Sequence, residues 1–224
     1  MEATIKCLEE VLQKCAQRDS VVIKPAKGSS GGVGVKIITK EDCDSCISLF
    51  SSSKIDLIVQ DRIVQHKVLQ EIHPSSVNTI RLMTLLFKGQ VSMLSAVLRM
   101  GVGGAHVDNA SAGGITCGIM NDGRLKSIAF DKYGNKYTVH LQGTEFGSVV
   151  VPGYEAAKNM AIQLAQRLPY CAMLSWDIAI GFDGSPILIE VNMNNGELDF
   201  HQFNNDPIFG EITNEVVKSV MKNL

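Results

Sequence analysis

The chain has 224 residues, 45% of them hydrophobic and 20% charged, a composition typical of a globular protein with one large domain or two small ones. Its 21 basic and 23 acidic side chains nearly cancel, so no general attraction to nucleic acid or to a membrane surface is expected. No apolar run reaches the roughly 18 residues of a membrane-spanning helix, and the acidic N-terminus is unlike a secretory signal, so a cytoplasmic protein is expected.

The first 65 residues predict a small α+β lobe. The pattern favours helices over residues 2–17 and 40–52 and strands over residues 21–25, 34–39 and 55–60. Cys43 and Cys46 form a C-x-x-C pair on the second helix, with no second pair and no nearby histidine. Reduced thiols are therefore the expected state, rather than a zinc or redox site.

Residues 66–224 predict a larger lobe that is rich in antiparallel strands. Hairpins are expected over residues 78–100, turning at Lys88-Gly89, and over 113–130, turning at residues 121–123. A helix over 154–168 places Ala157, Met160, Ala161, Leu164 and Leu168 inward, and a helix over 211–223 is expected to bury Ile212, Val216, Val217 and Val220. Hairpin-joined strands favour antiparallel sheets packed on helices over a doubly wound parallel sheet, which makes the fold class α+β.

The stretch LSWDIAIGFDGSPILIEVNMN, residues 174–194, predicts an apolar hairpin that nevertheless carries acidic side chains. Asp183-Gly184 is typical of a two-residue type I′ turn, because both positions of that turn need a positive φ. That loop fixes the cross-strand partners as Ile180 with Ile187, Ile178 with Ile189 and Asp177 with Glu190.

This register brings three oxygen donors together. Side chains alternate across a strand, so Asn192 shares a face with Glu190, and Asp177 joins them from the next strand. Facing carboxylates repel each other, which favours a bound cation. Carboxylate and amide oxygens suit Mg²⁺ or Mn²⁺ far better than zinc. The alternative is a solvated polar face on an edge hairpin. Trp176 points the other way, into the core.

A glycine-rich stretch follows the first strand, in VVIKPAKGSSGGVGVKII. Lys24 is suited to phosphate, and glycine backbone N–H groups can approach an anion closely in the loop formed by Gly28, Ser29, Ser30, Gly31, Gly32 and Gly34. The spacing matches neither a Walker A loop nor G-x-G-x-x-G, and the loop joins two strands. A lid over a nucleotide triphosphate and a flexible hairpin tip both remain open.

Other polar residues mark further candidates. The run Gln60, Asp61, Arg62 and Ile63 follows a strand and could form a hinge against adenine. Arg81 and Arg99 lie in apolar strands, where an arginine is usually paired or aimed at an anion; pairing with Asp108 or Glu71 is the structural alternative. Asn109 precedes a glycine pair in the loop that follows. His140 is expected at the surface, the alternative being a place in an acceptor pocket.

Taken together, these motifs resemble the ATP-grasp family. The order IKPAKGSSGGVG, VQDRI, NTIRLMTLL, LRMG with VDNASAGG, and WDIAIGFDGSPILIEVN covers nearly the whole chain. HPSSVNTIR, VDNASAGG and HQFNNDPIFGEITNEV carry a narrower likeness to the sugar-transfer-associated subgroup. The resemblance implies two α+β lobes with antiparallel sheets that hold ATP between them, residues 1–65 forming the small lobe and residues 66–224 the large one.

The resemblance also implies roles for particular residues. Lys24 would contact the α- and β-phosphates, and residues 28–34 would cover them. The adenine hinge would be formed by Gln60 to Ile63, with Gln60 where the family often has glutamate. Arg81 and Arg99 would steady the γ-phosphate and an acyl phosphate. Two magnesium ions would be bound by Asp177, Glu190 and Asn192, with Glu190 bridging.

Two departures from the family pattern bear on activity. Many ligases of this fold have an arginine two residues before the metal aspartate, and Ser175 stands at that position here. Arg81 or Arg99 would then replace it, or activity would be reduced. Family members usually begin with a further domain, which this chain lacks, so a fragment, a truncated relative or a chain that needs a partner are all open.

The expected activity is that of an ADP-forming carboxylate–amine ligase. It would use ATP and Mg²⁺, pass through an acyl phosphate, and join a carboxylate donor to an amine acceptor such as an amino acid or amino sugar. The subgroup implies a role in cell-surface polysaccharide biosynthesis, by analogy alone. The alternatives are a phosphotransferase of the same fold and a nucleotide-binding module that does not turn over.

Overall fold

The computed structural model describes residues 13, 17, 20–27, 34–42, 56–104, 108, 113–194 and 196–222. The chain divides into two compact units, one ending at Ile63 and the other beginning at Val64. Each unit has its own sheet. That these two units are the small and large lobes of a nucleotide-binding fold is a prediction.

The first unit contains a three-stranded antiparallel sheet. Its strands are β1 (Ser20–Pro25), β2 (Lys36–Thr39) and β3 (Leu57–Asp61), in the order β2-β1-β3. All three predicted strands are confirmed. One face is apolar and buried, and carries Val21, Ile23, Ile38 and Val59.

Two predicted helices of this unit are described only in part. Gln13 and Gln17 are helical, which agrees with the helix expected over 2–17. Lys40–Asp42 form a short 3₁₀ turn at the start of the helix expected over 40–52. Cys43 and Cys46 lie outside the described residues.

The second unit contains a seven-stranded antiparallel sheet in the order β10-β9-β4-β5-β6-β7-β8. Its strands are β4 (Thr79–Phe87), β5 (Gln90–Met100), β6 (Ile115–Ile119), β7 (Leu125–Phe130), β8 (Lys136–Tyr137), β9 (Met173–Ile180) and β10 (Pro186–Asn192). The described helices of this unit are α1 (Lys67–Ile72), α2 (Tyr154–Gln166), α3 (Leu198–Asn205) and α4 (Thr213–Met221).

The predicted turn between β4 and β5 is confirmed. Lys88 and Gly89 have φ values of 51° and 79°, and Phe87 pairs with Gln90 across the loop. This is the two-residue turn with two positive φ values that matches the twist of an antiparallel ribbon. A β-bulge between Met83 and Thr84 then shifts the register by one residue, and this shift places Arg81 and Arg99 on the same face of the sheet.

One face of the large sheet forms the main hydrophobic core. Leu82, Leu98 and Trp176 lie on this face, and Ala157 and Ala161 of α2 pack against it. Trp176 is therefore in the core, as predicted, and its Nε1 donates a hydrogen bond of 2.9 Å to Oγ1 of Thr84. The inward residues predicted for α2 are fully or partly buried.

The opposite face is polar and is partly covered by α3. Nδ2 of Asn205 donates to the backbone oxygen of Ala96 at 2.7 Å, and Nδ2 of Asn204 donates to Oγ1 of Thr116 at 2.9 Å. Gly118 permits this close approach, because a Cβ there would lie 2.4 Å from Oδ1 of Asn205 and 3.1 Å from the backbone oxygen of Asn204. A small residue on β6 therefore sets the height of α3 above the sheet.

We expect Gly118→Ala to destabilise the protein by about 1–3 kcal/mol, because the added methyl group overpacks this contact. Gly104→Ala is the matched control, since a Cβ at Gly104 would meet nothing within 4 Å. Urea unfolding, followed by the fluorescence of the single tryptophan, measures both variants. Equal stabilities would show that α3 is free to shift away from the sheet.

The C-terminal helix differs from its prediction. α4 has no buried residue, and Val217 and Val220 are 48% and 56% exposed, while Ile212 and Val216 are half-buried. The apolar spacing predicted the helix correctly and its burial wrongly, because an amphipathic pattern shows which side is apolar but not whether a surface lies against it. None of the described helices is long and apolar enough to cross a membrane.

Candidate functional site

The hairpin of β9 and β10 turns in a different way from the predicted one. The backbone N–H of Gly184 donates to the oxygen of Gly181 at 2.9 Å, and that of Gly181 donates to the oxygen of Ser185 at 2.9 Å. The loop therefore has three residues, and Gly184 (φ 82°) is its residue with positive φ, while Asp183 is not in that region. Asp183 instead accepts hydrogen bonds from the backbone N–H and the hydroxyl of Ser185. The type I′ prediction was wrong.

The longer loop changes the register beside the turn. Ile180 pairs with Pro186 rather than Ile187, and Ile178 pairs with Leu188 rather than Ile189. A β-bulge between Leu188 and Glu190 then adds one residue to β10. Because the bulge offsets the extra loop residue, Asp177 faces Glu190 as predicted.

This register creates a row of partners across the polar face of the sheet. Glu190 on β10 faces Asp177 on β9, Asp177 faces Arg81 on β4, and Arg81 faces Val97 on β5. Ser175 and Asn192 form the neighbouring pair on β9 and β10. The candidate metal ligands and a candidate catalytic arginine are thus direct neighbours on one face.

Asp177 is held by both candidate arginines. Arg81 donates from Nε to Oδ1 at 2.7 Å and from Nη2 to Oδ2 at 2.6 Å, in a bidentate pair. Arg99 donates from Nη1 to Oδ2 at 2.9 Å. Burial by itself would raise the pKa of Asp177, but the hydrogen bonds and charges of Arg81 and Arg99 lower it below its usual value. The carboxylate is therefore ionised at neutral pH.

Two further carboxylates complete this network. Nη2 of Arg99 donates to Oδ1 of Asp108 at 3.1 Å, and the hydroxyl of Thr79 donates to Oδ2 of Asp108. Nη1 of Arg81 pairs with Glu197. Burial raises the pKa of Asp108 more than the charge of Arg99 lowers it. The pairing of Arg99 with Asp108 that the sequence left open is present, and Asp108 orients the guanidinium.

The oxygen donors fit a hard divalent cation. An ionised carboxylate offers about four lone-pair positions, and the arginines take three of those on Asp177, which leaves one on Oδ1. Glu190 is exposed, and Nδ2 of Asn192 lies 3.4 Å from its Oε1. Two arginines stand against four carboxylates here, namely Asp108, Asp177, Glu190 and Glu197, and this excess of negative charge favours Mg²⁺. The described residues contain no cluster of three or more His, Cys, Asp and Glu side chains suited to a metal, so a cation site here would need the amide of Asn192 as a further ligand.

The nucleotide candidates of the first unit are only partly described. Lys24 pairs with Ile58, and Gln60 with Val22, so both side chains lie on the face away from the buried core. Asp61 ends β3, and Arg62 and Ile63 follow it. The glycine-rich residues Gly28, Ser29, Ser30, Gly31 and Gly32, and also Asn109, lie outside the described residues. Their proposed roles stay predictions.

His140 is buried, so its predicted surface position was wrong. It is 2% exposed, and its Nδ1 accepts from the backbone N–H of Gln142 at 3.2 Å. Nε2 therefore carries the hydrogen and donates to the backbone oxygen of Gly101 at 2.9 Å. Burial lowers the pKa of His140, which keeps the ring neutral. The sequence misplaced it because a polar local pattern does not reveal a backbone partner distant in sequence.

Residues of α3 and its start were missed by the sequence reasoning. Glu197 is the N-cap residue just before this helix and has φ 54°. His201 lies within the helix, fully buried, with its Nδ1 2.8 Å from Oγ of Ser95. Oγ of Ser175 is also buried and has no hydrogen-bond partner among the described residues. The polar run HQFNN, residues 201–205, could have indicated them, because it lies in a helix that packs on a sheet.

The stability of the fold should depend on pH through His201. Burial, and then the charge of Arg81, lower its pKa from 6.5 to about 4. Below pH 6.5 the unfolded chain takes up a proton that the folded protein excludes, so the stabilisation is complete above pH 6.5 and is lost as pH falls toward 4. The loss should approach about 3 kcal/mol. Urea unfolding from pH 7 to pH 4 should show a smaller loss in His201→Gln than in the wild type, and parallel curves would contradict this assignment.

Solved structures with the same fold were found at low sequence identity. The ATP-grasp ligase PsnB, complexed with the precursor peptide PsnA2 and AMPPNP, matches with a TM-score of 0.57 and 14% identity over 99% of this chain and 53% of that chain. The ADP complex of purK, N5-carboxyaminoimidazole ribonucleotide synthetase, matches at 0.54 and 12% over 86% and 40%. D-alanyl-alanine synthetase A from Vibrio cholerae O1 biovar eltor matches at 0.52 and 13% over 100% and 59%.

These likenesses show the fold, which is ATP-grasp with α+β architecture, as predicted. The chain spans only 40–59% of the length of these three structures. Comparison with curated proteins gave no match. A family model described as sugar-transfer associated ATP-grasp matches residues 42–218, which is most of the sequence. The chain therefore belongs to the sugar-transfer-associated ATP-grasp family.

Proposed function

We propose that this protein is an ATP- and Mg²⁺-dependent carboxylate–amine ligase that forms ADP. The observation that carries the proposal is the row Glu190, Asp177 and Arg81 across the sheet, joined by Arg99. It combines oxygen donors for a divalent cation with guanidinium groups for an anion on one face. The structures similar in fold include an ADP complex and a complex with Mg-ADP and bicarbonate.

Different side chains would have different roles in phosphoryl transfer. Asp177, Glu190 and Asn192 would hold Mg²⁺, which when bound neutralises phosphate charge. Arg81 and Arg99 would stabilise the charge that develops on the γ-phosphoryl oxygens. Asp177 and Asp108 keep these guanidinium groups oriented through their ion pairs.

The reaction would proceed in two displacements. A carboxylate oxygen of the donor attacks the γ-phosphorus, the bond to the β-phosphate oxygen breaks, and ADP leaves. The amine then attacks the acyl carbon, loses a proton, and inorganic phosphate leaves. Water would hydrolyse the acyl phosphate, so the glycine-rich residues 28–34 are proposed to close over it. Lys24 and the segment Gln60 to Ile63 are proposed to contact the nucleotide.

The family membership supports a role in cell-surface polysaccharide biosynthesis. We propose that the amine or the carboxylate belongs to an amino acid or an amino sugar and that the reaction takes place in the cytoplasm. Both substrates would then be small molecules. We propose that a further domain or a partner chain completes the site.

The test is a substrate screen. The purified protein is incubated with Mg-ATP and pairs of amino acids and amino sugars, and both ADP and inorganic phosphate are measured. A ligase releases the two in equal amounts, and only when both donor and acceptor are present. ADP without phosphate, together with a stable phosphate ester, would instead identify a phosphotransferase of the same fold.

A module that binds nucleotide without turnover is the second candidate. It is favoured by the ion pairs of Asp177, because both of its oxygens are bonded to arginines rather than left open for a cation. Calorimetric binding of Mg-ATP with no ADP formed from any substrate pair would support this module over the ligase.

A further inference from the structure

The ring of His201 offers a hydrogen-bond donor that the fold does not use. Nδ2 of Asn205 donates to the backbone oxygen of Ala96 and also to Oγ of Ser95, at 2.9 Å. Nδ1 of His201 lies 2.8 Å from the same Oγ, which can donate its hydrogen to this nitrogen. With that bond, the neutral ring carries its own hydrogen on Nε2. This buried N–H has no hydrogen-bond partner among the described residues.

Such a buried donor is uncommon in folded proteins. Most buried polar side-chain atoms have a partner, and the exceptions call for an explanation such as a bound ion or ligand. His201 is 0% exposed, so its N–H is not satisfied by bulk solvent in this state. The unpaired N–H group of His201 indicates a ligand that binds here after neighbouring side chains have moved.

Glu197 is the side chain that is placed to move. It is the N-cap residue of α3, four positions before His201. The Glu197 side chain is 37% exposed and pairs with Nη1 of Arg81. The other donors of Arg81 named above, Nε and Nη2, are bound to Asp177. Nη1 is thus the part of Arg81 that meets a solvent-accessible carboxylate.

The N-terminus of α3 adds to the attraction for an anion at this place. The helix has eight residues, and its N-cap residue, Glu197, makes no side-chain capping hydrogen bond. Backbone N–H groups of a first turn carry partial positive charge. Ser95, which is bonded to His201, faces Met83 on β4. Arg81 lies two residues before Met83 on that strand, so Arg81 and His201 lie on the same face of the sheet.

We propose that Nε2 of His201 and Nη1 of Arg81 form one oxyanion-binding site, and that the carboxylate of Glu197, which pairs with Nη1, competes for it. The ligand is an oxyanion of the substrates, either the donor carboxylate or the phosphoryl group. This assignment of the ligand rests on the proposed ligase function, whereas anion binding as such does not. Glu197 competes with the substrate anion, and its departure frees both donors.

The experiment uses the full chain labelled with ¹⁵N-histidine, which gives few ring signals because there are five histidines. The His201 signals are assigned by their absence in His201→Gln. Inorganic phosphate and, separately, acetate are titrated in, and the Nε2 signal is followed. We expect it to shift with a millimolar dissociation constant. A shift with phosphate alone identifies the phosphoryl group, and a shift with acetate identifies the donor carboxylate.

Variants of His201 and of Glu197 are expected to change the anion affinity in opposite directions. Glu197→Gln should tighten anion binding about 5-fold, because the internal competitor is removed. Asp199→Asn, with the same charge change in the first turn of α3, is the control and should have less than half that effect. His201→Leu should weaken binding about 10-fold, and His201→Gln, which retains an N–H donor, should restore most of it. Calorimetry with the same anions measures the variants.

Two results would overturn the inference. One is a His201 signal that neither anion moves; the other is a Glu197→Gln variant that binds no more tightly than Asp199→Asn. Mg-ATP affinity and phosphate release are measured on the same preparations. If the signal moves while no substrate pair releases phosphate, the anion site stands and the ligase proposal fails.

Discussion

Replacement of Glu190 by glutamine is expected to abolish ATP-dependent phosphate release, with a loss of at least about 1000-fold in kcat/KM. The physical reason is the loss of one of two facing carboxylates that would hold the cation. Glu190 is exposed on the edge strand β10, so the substitution leaves no buried charge unpaired and the fold should be unaffected. Phosphate release at saturating ATP, over a range of Mg²⁺ concentrations, is the measurement.

The matched control for this variant is Glu211→Gln. Glu211 is exposed and acidic like Glu190, but it lies in a 3₁₀ turn near the C-terminal helix. It should retain wild-type activity. If very high Mg²⁺ partly restores Glu190→Gln, the defect is in cation binding; wild-type rates in Glu190→Gln at ordinary Mg²⁺ would remove the metal assignment altogether.

Arg81→Met is expected to destabilise the protein by about 3–5 kcal/mol, the usual cost of removing one partner from a buried ion pair. Arg81 and Asp177 side chains are 8% and 6% exposed, and the substitution leaves Asp177 with the single bond from Arg99. Trp176 precedes Asp177 on β9 and is the only tryptophan, so its fluorescence reports unfolding of this sheet. Urea denaturation curves give the difference in the free energy of unfolding.

A double variant separates the ion pair from simple packing. Arg81→Met combined with Asp177→Leu removes both charges, and we expect it to recover at least about half of the lost stability. Lys67→Met is the surface control: its pair with Glu71 is 86% and 63% exposed, and its loss should cost less than about 1 kcal/mol. A similar small cost for Arg81→Met would mean that water enters the network and that the charges are not held in place.

The sequence was informative about the site because side-chain alternation and hairpin pairing are local rules. It predicted that Asp177 faces Glu190, and this is confirmed, although the predicted route was wrong. The three-residue turn moves the register by one position and the bulge moves it back. No local sequence pattern predicted the bulge in β10, because a bulge depends on how the strand fits its neighbours.

The sequence could not show how the charges are paired. Arg81 and Asp177 are far apart along the chain, and they meet because β4 lies beside β9 in the sheet. Pairing of non-consecutive strands follows from the packing of the whole domain, and periodicity does not reveal it. For the same reason Glu197 and His201 were missed, since α3 reaches the polar face only after the chain has left β10.

By itself the sequence determined every strand except β8, the turn at Lys88-Gly89 and the helix α2, because each depends on neighbours within a few positions. Only the tertiary structure decided what surrounds each residue. It left the apolar side of α4 largely exposed, buried His140 against the backbone of Gly101, and placed two arginines on Asp177. Burial and ion pairing are properties of surfaces that come together from distant parts of the chain, so they are fixed only when the whole fold is formed.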